Sequence, residues 1–170
     1  MTIYFASDTC WLGTILVAQS EKGVCAILLG DNRQSLVADL QKRFHHIRLV
    51  EADSSLQKTM SQIIGAIENP KLPVATSLDI HGTPFQQRVW QALQQIPTGE
   101  TRSYSEIAAA INAPKSVRAV ATACAANPIA VIIPCHRVLR RDGSLSGYRW
   151  GLERKEKLLR REAIYKTDSV

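Results

Sequence analysis

A cysteine and a histidine stand side by side in Ile133-Pro134-Cys135-His136-Arg137-Val138, and Arg140, Arg141 and Arg149 follow closely. A thiol attacks as its thiolate, and an adjacent imidazole is a natural proton acceptor for it. A free thiol titrates near ~8.5, so only a few per cent is ionised at neutral pH. His136 or the nearby arginines are expected to lower that value. Side chains of adjacent residues in an extended segment point to opposite faces, so contact between Cys135 and His136 needs a bent backbone or a bridging water. Pro134 suits such a bend.

Glu162 is the candidate to orient the imidazole. It falls near the side of the last helical segment that carries Leu158 and Leu159, as does Lys155, and a carboxylate on a buried stripe needs a partner. Each residue also has a plainer reading. Cys135 could be a small buried hydrophobe, His136 a backbone-satisfied ring and Glu162 a solvent-facing carboxylate. At this point any activated thiol fits, a hydrolase included, although no glycine-rich loop for an oxyanion hole lies beside Cys135.

The elements that must position these groups fall into two halves. Residues 1–80 carry seven basic and eight acidic side chains, whereas residues 81–170 carry fourteen and seven. A neutral half joined to a basic half suits contact with a polyanion through the second half. The 170 residues allow one large domain or two small ones, and the boundary is placed at His81-Gly82, giving domains 1–80 and 81–170.

In the first half, the apolar runs Leu12 to Ala18 and Val24 to Leu29 flank Glu21-Lys22-Gly23 and predict a hairpin. Leu36, Val37, Leu40 and Phe44 predict one amphipathic helix, and Leu56, Met60, Ile63, Ile64 and Ile67 another. Val74 to Ile80 is expected as a further strand.

In the second half, Thr83-Pro84-Phe85-Gln86 and Ser103-Tyr104-Ser105-Glu106 are capping boxes that open helices. A third helix runs from about Ser116 to Ala126, so two short helices joined by a short turn form a helix-turn-helix. Its core stripe is expected at Val117, Val120, Ala121 and Cys124, with Arg118, Thr122 and Ala125 on the neighbouring face. That face bears one long cation and otherwise small side chains, which suits close approach to a groove or to phosphates. Asp142-Gly143 marks a turn, and a last helix spans about Leu152 to Ile164, with Leu152, Leu158, Leu159 and Ala163 as its apolar residues.

Cys10, Cys25, Cys124 and Cys135 form no C-x-x-C pair, so neither a disulfide framework nor a metal site is expected. The start of the chain lacks a basic-then-apolar leader, and the nearly apolar stretch 119–135 is split by Asn127-Pro128. A cytoplasmic protein with reduced thiols and no membrane partner is expected.

The run Asn127-Pro128-Ile129-Ala130-Val131-Ile132-Ile133-Pro134-Cys135-His136-Arg137-Val138 closely resembles the active-site signature of the O6-alkylguanine-DNA alkyltransferases. The likeness extends through Ser103-Tyr104, through Pro114-Lys115-Ser116-Val117-Arg118-Ala119-Val120, and on to Ser146-Gly147-Tyr148-Arg149-Trp150-Gly151. The N-terminal part is a weaker match and looks most like the alkyltransferase half of the bacterial adaptive-response protein.

The resemblance implies an α+β fold, with an N-terminal ribonuclease-H-like α/β domain and a C-terminal, mostly helical domain holding the helix-turn-helix. It implies a monomer that needs no cofactor, binds alkylated double-stranded DNA by the minor groove and flips the damaged guanine into a pocket. Cys135 would accept the alkyl group from O6 of guanine, and from O4 of thymine, once per molecule. His136 would deprotonate Cys135 through a water, Glu162 would hold His136, Tyr104 would help protonate the base, and Lys155 would contribute near the site. Arg118 would be the finger that fills the gap in the stack, with Ser116, Thr122, Ala125 and Arg137 also facing DNA. Asn127 would brace the active-site turn, Tyr148 would line the base pocket, and backbone groups of Val138 and Arg149 would read the base edge.

Arg149, Ala130 and Cys124 depart from residues found in some relatives (serine, proline and methionine), which bears on the tolerance of bulky alkyl groups. Two rival readings remain. A damage sensor that binds without repair would lack the nucleophile, which Cys135 supplies. A transcription regulator would need a dimerisation element, and none is evident.

Overall fold

The computed structural model describes residues 1–52, 54–74 and 76–167, except for the side chains of 166 and 167. They form two compact units. One comprises Met1–His81 with Pro128–Ala130, and the other comprises Gly82–Asn127 with the residues from Val131 onward.

The first unit is built on a four-stranded sheet. Strands β1 (Thr2–Cys10), β2 (Gly13–Ser20) and β3 (Gly23–Gly30) form an antiparallel meander, and β4 (Arg48–Glu51) runs parallel to β1, giving the order β3-β2-β1-β4. β1 was not expected, because its apolar residues are interspersed with Thr, Ser and Asp. Its inward set is Ile3, Phe5 and Cys10. The β2–β3 hairpin forms as the sequence predicts. Gly23 takes φ +148, and a Cβ there would meet the Ser77 carbonyl oxygen at 2.4 Å.

Residues 24–29 of β3 are all buried, which explains the unbroken apolar run. Single bridges from Val24 to Leu78 and from Ile27 to Ile129 cover this outer strand. Among the described residues of the strand expected over Val74 to Ile80, which leave out residue 75, the bridge at Leu78 forms, and there Val24 bonds Ser77 and Asp79 through the backbone. Beyond it, Asp79 is drawn off by side-chain bonds to Ser20 and His81.

Helix α1 (Arg33–Arg43), capped by Asn32, packs Leu36 and Leu40 against β2 and β3, and α2 (Gln57–Glu68) turns Met60, Ile63 and Ile67 inward. Burying each such side chain contributes about 1.5–3 kcal/mol.

The second unit is mostly helical: α3 (Pro84–Gln94), α4 (Tyr104–Ala110), α5 (Val117–Ala125) and α6 (Leu152–Thr167). Both capping boxes form as expected, at Thr83/Gln86 and Ser103/Glu106. Each satisfies two helix-end donors that would otherwise lack partners. α4 ends with Asn112 at φ 60, while Ala113 and Asn112 donate back to the carbonyls of Ala108 and Ala109. That left-handed close turns the chain into α5.

The indole of Trp90 in α3 donates to the Ala123 carbonyl at 2.9 Å. Ala123 is therefore on the buried stripe of α5 with Val120 and Cys124, while Ala121 turns aside. Two-residue strands β5 (Arg102–Ser103) and β6 (Val138–Leu139) pair in parallel, joining the start of α4 to the cysteine segment.

The stripe of α6 differs from its hydropathy. Leu152 and Ala163 face solvent, and the buried residues are Lys155, Leu158 and Glu162.

Candidate active site

The cysteine segment is a tight structure. Val131 adopts φ 68, a left-handed conformation costly for a β-branched residue, and Cys135–Arg137 form a single 3-10 turn after Pro134. Asn127, fully buried, spans this loop. Its Nδ2 donates to the Ile133 carbonyl at 2.8 Å and to Cys135 Sγ at 3.3 Å.

His136 and Glu162 meet as a buried pair. Nε2 lies 2.8 Å from Glu162 Oε1 and 3.2 Å from Oε2. Burial pushes the His136 pKa down despite the pull of Glu162, so the ring is neutral at pH 7. A neutral ring facing a carboxylate places its hydrogen on Nε2, which leaves Nδ1 as the acceptor nitrogen. Nδ1 is buried and has no hydrogen-bond partner among the described residues.

Burial alone would raise Glu162. The hydrogen bond from His136 and the guanidinium of Arg137 outweigh it and hold the carboxyl below its ordinary value.

Cys135 differs from expectation. Its pKa is raised from 9.0 to about 11, because burial outweighs donation from Asn127 and the charge of Lys155. His136 and the arginines do not make it a resting thiolate. The group is a protonated thiol that must lose its proton during reaction.

Cys135 opens onto a cavity of about 340 Å³ lined also by Tyr104, Ala121, Cys124, Ala125, Gly147, Tyr148 and Arg149. That volume lies within the ~300–1,000 Å³ range of small-molecule sites. Tyr104 Oη is hydrogen-bonded to Ser146 Oγ. Lys155 Nζ, fully buried, donates to the Val138 carbonyl at 2.8 Å and to Ser146 Oγ at 3.0 Å.

Two domain models match in tandem: the ribonuclease-like domain of 6-O-methylguanine DNA methyltransferase over residues 3–80 and its DNA binding domain over residues 84–164. The methylated-DNA–protein-cysteine methyltransferase of Methanosarcina barkeri is 44% identical over 153 residues, covering 89% of this chain and 91% of that protein. This chain belongs to the methylated-DNA–protein-cysteine methyltransferase family.

The bifunctional transcriptional activator/DNA repair enzyme Ada of Escherichia coli is 53% identical over 163 residues. That match covers 96% of this chain and 46% of Ada, so the chain spans just under half the length of that relative. A crystal structure of Mycobacterium tuberculosis OGT in complex with DNA superposes with TM-score 0.78 at 34% identity, covering 96% of this chain and 94% of that one. The mixed α+β architecture of the methyltransferase family is thus present, with the sheet unit as the ribonuclease-like domain and the helical unit as the DNA-binding domain.

The remaining candidate residues fall in different places. Arg118, Thr122 and Ala125 are exposed on one side of α5, and Ser116 stands at its N-cap. Thr122 Oγ1 is bonded back to the Arg118 carbonyl, and Ala125 reaches the cavity wall. Tyr148 lines the cavity and stacks edge-on against His136 and Trp150.

Arg137 does not join the exposed set. Its guanidinium turns inward to Glu162 Oε1 at 2.6 Å, the Ile96 carbonyl at 2.6 Å and Thr98 Oγ1 at 3.3 Å. Only 12% of the side chain is exposed, so it orients Glu162 instead of reaching outward. The Val138 carbonyl already accepts from Lys155, and Arg149 Nη1 donates to the Asn127 carbonyl at 3.0 Å.

Ser146 has no part among the residues legible in the sequence. Its only signal was its place beside Gly147-Tyr148 in the family motif. Among the described residues, no group of His, Cys, Asp and Glu is placed to hold a metal, and no helix is long and apolar enough to cross a membrane.

Proposed function

We propose that this protein repairs DNA by direct reversal, moving the alkyl group from O6 of guanine in duplex DNA to its own Cys135 once per molecule. The observation that carries this reading is a buried cysteine opening onto a base-sized cavity beside a neutral histidine whose second nitrogen is bound by a carboxylate.

The chemistry follows from the geometry. The Cys135 proton passes to His136 Nδ1 through one water, and the imidazolium that forms is stabilised by Glu162. Sulfur forms a bond to the alkyl carbon as the carbon–O6 bond breaks, and the electron pair departs with guanine. Guanine leaves poorly as an anion, so Tyr104 supplies a proton to a ring nitrogen. The thioether is stable, so Cys135 is consumed. The O4 position of thymine presents the same alkyl ether and is a second substrate.

Duplex DNA carrying the lesion is the partner, approached by the minor groove with the base flipped out. Arg118 fills the gap left in the stack, because a planar guanidinium can stack between bases. The small side chains around it permit close approach, with Ser116 and Thr122 of the same helix facing the DNA. The protein acts as a monomer in the cytoplasm without a cofactor. Its four free cysteines support a reducing compartment.

The test is a titration with excess duplex containing O6-methylguanine. Loss of methyl groups should stop at one per protein molecule. Continued turnover would indicate a hydrolase, and binding without loss would indicate a damage sensor.

A further inference from the structure

Three side chains form a buried chain of hydrogen bonds that ends at the cavity: Lys155 Nζ to Ser146 Oγ at 3.0 Å, and Ser146 Oγ with Tyr104 Oη. Lys155 is fully buried and Ser146 is 7% exposed. The lysine pairs with no carboxylate among the described residues. It donates to the Val138 carbonyl and the Ser146 hydroxyl, and over longer distances to the Ser146 and Gly147 carbonyls.

Hydrogen accounting fixes the direction of the chain. An ammonium only donates, so Ser146 Oγ accepts from Lys155 and keeps one hydrogen to give. Among the described residues, the one other polar atom bonded to Ser146 Oγ is Tyr104 Oη. A buried hydroxyl hydrogen is rarely left without an acceptor, so Ser146 donates to Tyr104. The phenol hydrogen of Tyr104 is then available to point into the cavity that Tyr104 and Cys135 share.

We infer that Ser146 is a positioning residue that sets Tyr104 as a proton donor to the leaving base and couples it to the charge of Lys155. This inference rests on the alkyl-transfer reading above. In the step, Tyr104 Oη gives its proton to a guanine ring nitrogen while the carbon–O6 electron pair stays on the base. The charge appearing on Tyr104 Oη is met by the Ser146 hydrogen. That hydrogen can transfer to Tyr104 as Lys155 passes one to Ser146, leaving Lys155 neutral. The thiol proton held on His136 keeps the total charge unchanged. A hydrogen bond to a developing charge is stronger than one between neutral groups, so Ser146 acts more on the transition state than on the resting protein.

The test is the single-turnover rate of alkyl transfer from duplex DNA for wild type, Ser146→Ala, Ser146→Thr, Tyr104→Phe and the double variant Ser146→Ala/Tyr104→Phe. Ser146→Ala should slow transfer by roughly tenfold, as loss of one hydrogen bond to a charged group predicts, with lesion affinity within about twofold. Ser146→Thr, which keeps the hydroxyl, should restore most of the rate. In the Tyr104→Phe background, Ser146→Ala should add less than about twofold, because the group it serves is gone.

An Ala variant at the wild-type rate, or equal losses with and without the Tyr104 hydroxyl, would overturn the relay. If Ser146→Ala does not fold, the same comparison with Ser146→Cys, a weaker donor of similar size, decides between the two outcomes. Failure of wild type to take up any alkyl group would instead refute the underlying reading.

Discussion

Glu162 Oε1 lies 2.8 Å from His136 Nε2, which commits one nitrogen of a buried neutral imidazole and leaves Nδ1 to act. Arg137 Nε donates to the same Oε1 at 2.6 Å. The carboxylate therefore serves the fold and the chemistry together, and the two can be separated.

Glu162→Gln keeps the volume and one acceptor oxygen but removes the charge. Arg137 loses its counter-ion in a nearly buried position, so stability should fall by about 3 kcal/mol in denaturant unfolding. Among molecules that remain folded, alkyl transfer should slow by about tenfold or more, because an imidazolium is no longer stabilised. A variant that is destabilised yet transfers at the wild-type rate would remove Glu162 from the mechanism.

Acid should stop the reaction by protonating His136. Burial lowers the pKa of this ring below its ordinary 6.5, so the acid limb of the rate profile lies below pH 6.5 and the rate is level through neutrality. Single-turnover rates between pH 5 and 8 read this limb. A midpoint above 7 would show that the imidazole is not neutral at rest.

Alkali should weaken the fold. The thiols of Cys135 and Cys25 are raised from 9.0 to about 11 and about 12. Above pH 9 the unfolded chain releases these protons while the folded protein keeps them, so stability falls as pH rises. The Cys135 contribution is on the order of 2–3 kcal/mol across its interval. Thermal unfolding of Cys135→Ser should lose less stability between pH 9 and 11 than wild type. Equal slopes would show that the thiol is not held protonated by burial.

Arg118→Ala should leave stability within about 0.5 kcal/mol, because the side chain is exposed. It should slow repair of duplex DNA more than reaction with a free alkylated base, which needs no flipping. Equal slowing on both substrates would contradict the finger role.

The capping boxes at Thr83 and Ser103 could be read from the sequence because their partners lie three residues away. The cysteine motif could be read because its residues are contiguous in the chain. What escaped depends on partners distant in the chain. Lys155 reads as lying near the buried side of its helix, but its partners, the Val138 carbonyl and Ser146, reach it only through folding, and Leu152 reads as core although it is 51% exposed. Arg137 looked suited to DNA because nothing in its neighbourhood revealed the Ile96 carbonyl or Thr98. The Cys135 pKa was expected to fall because sequence shows the nearby cations but not the burial that outweighs them.

The central claim is tested most directly by mass. After reaction with one equivalent of duplex DNA containing O6-methylguanine, the intact protein should gain one CH2, and proteolysis should place it on the peptide containing Cys135. Cys124 lines the same cavity and provides an internal control. An unchanged mass, or a methyl group found on Cys124, would contradict the assignment of Cys135 as the acceptor.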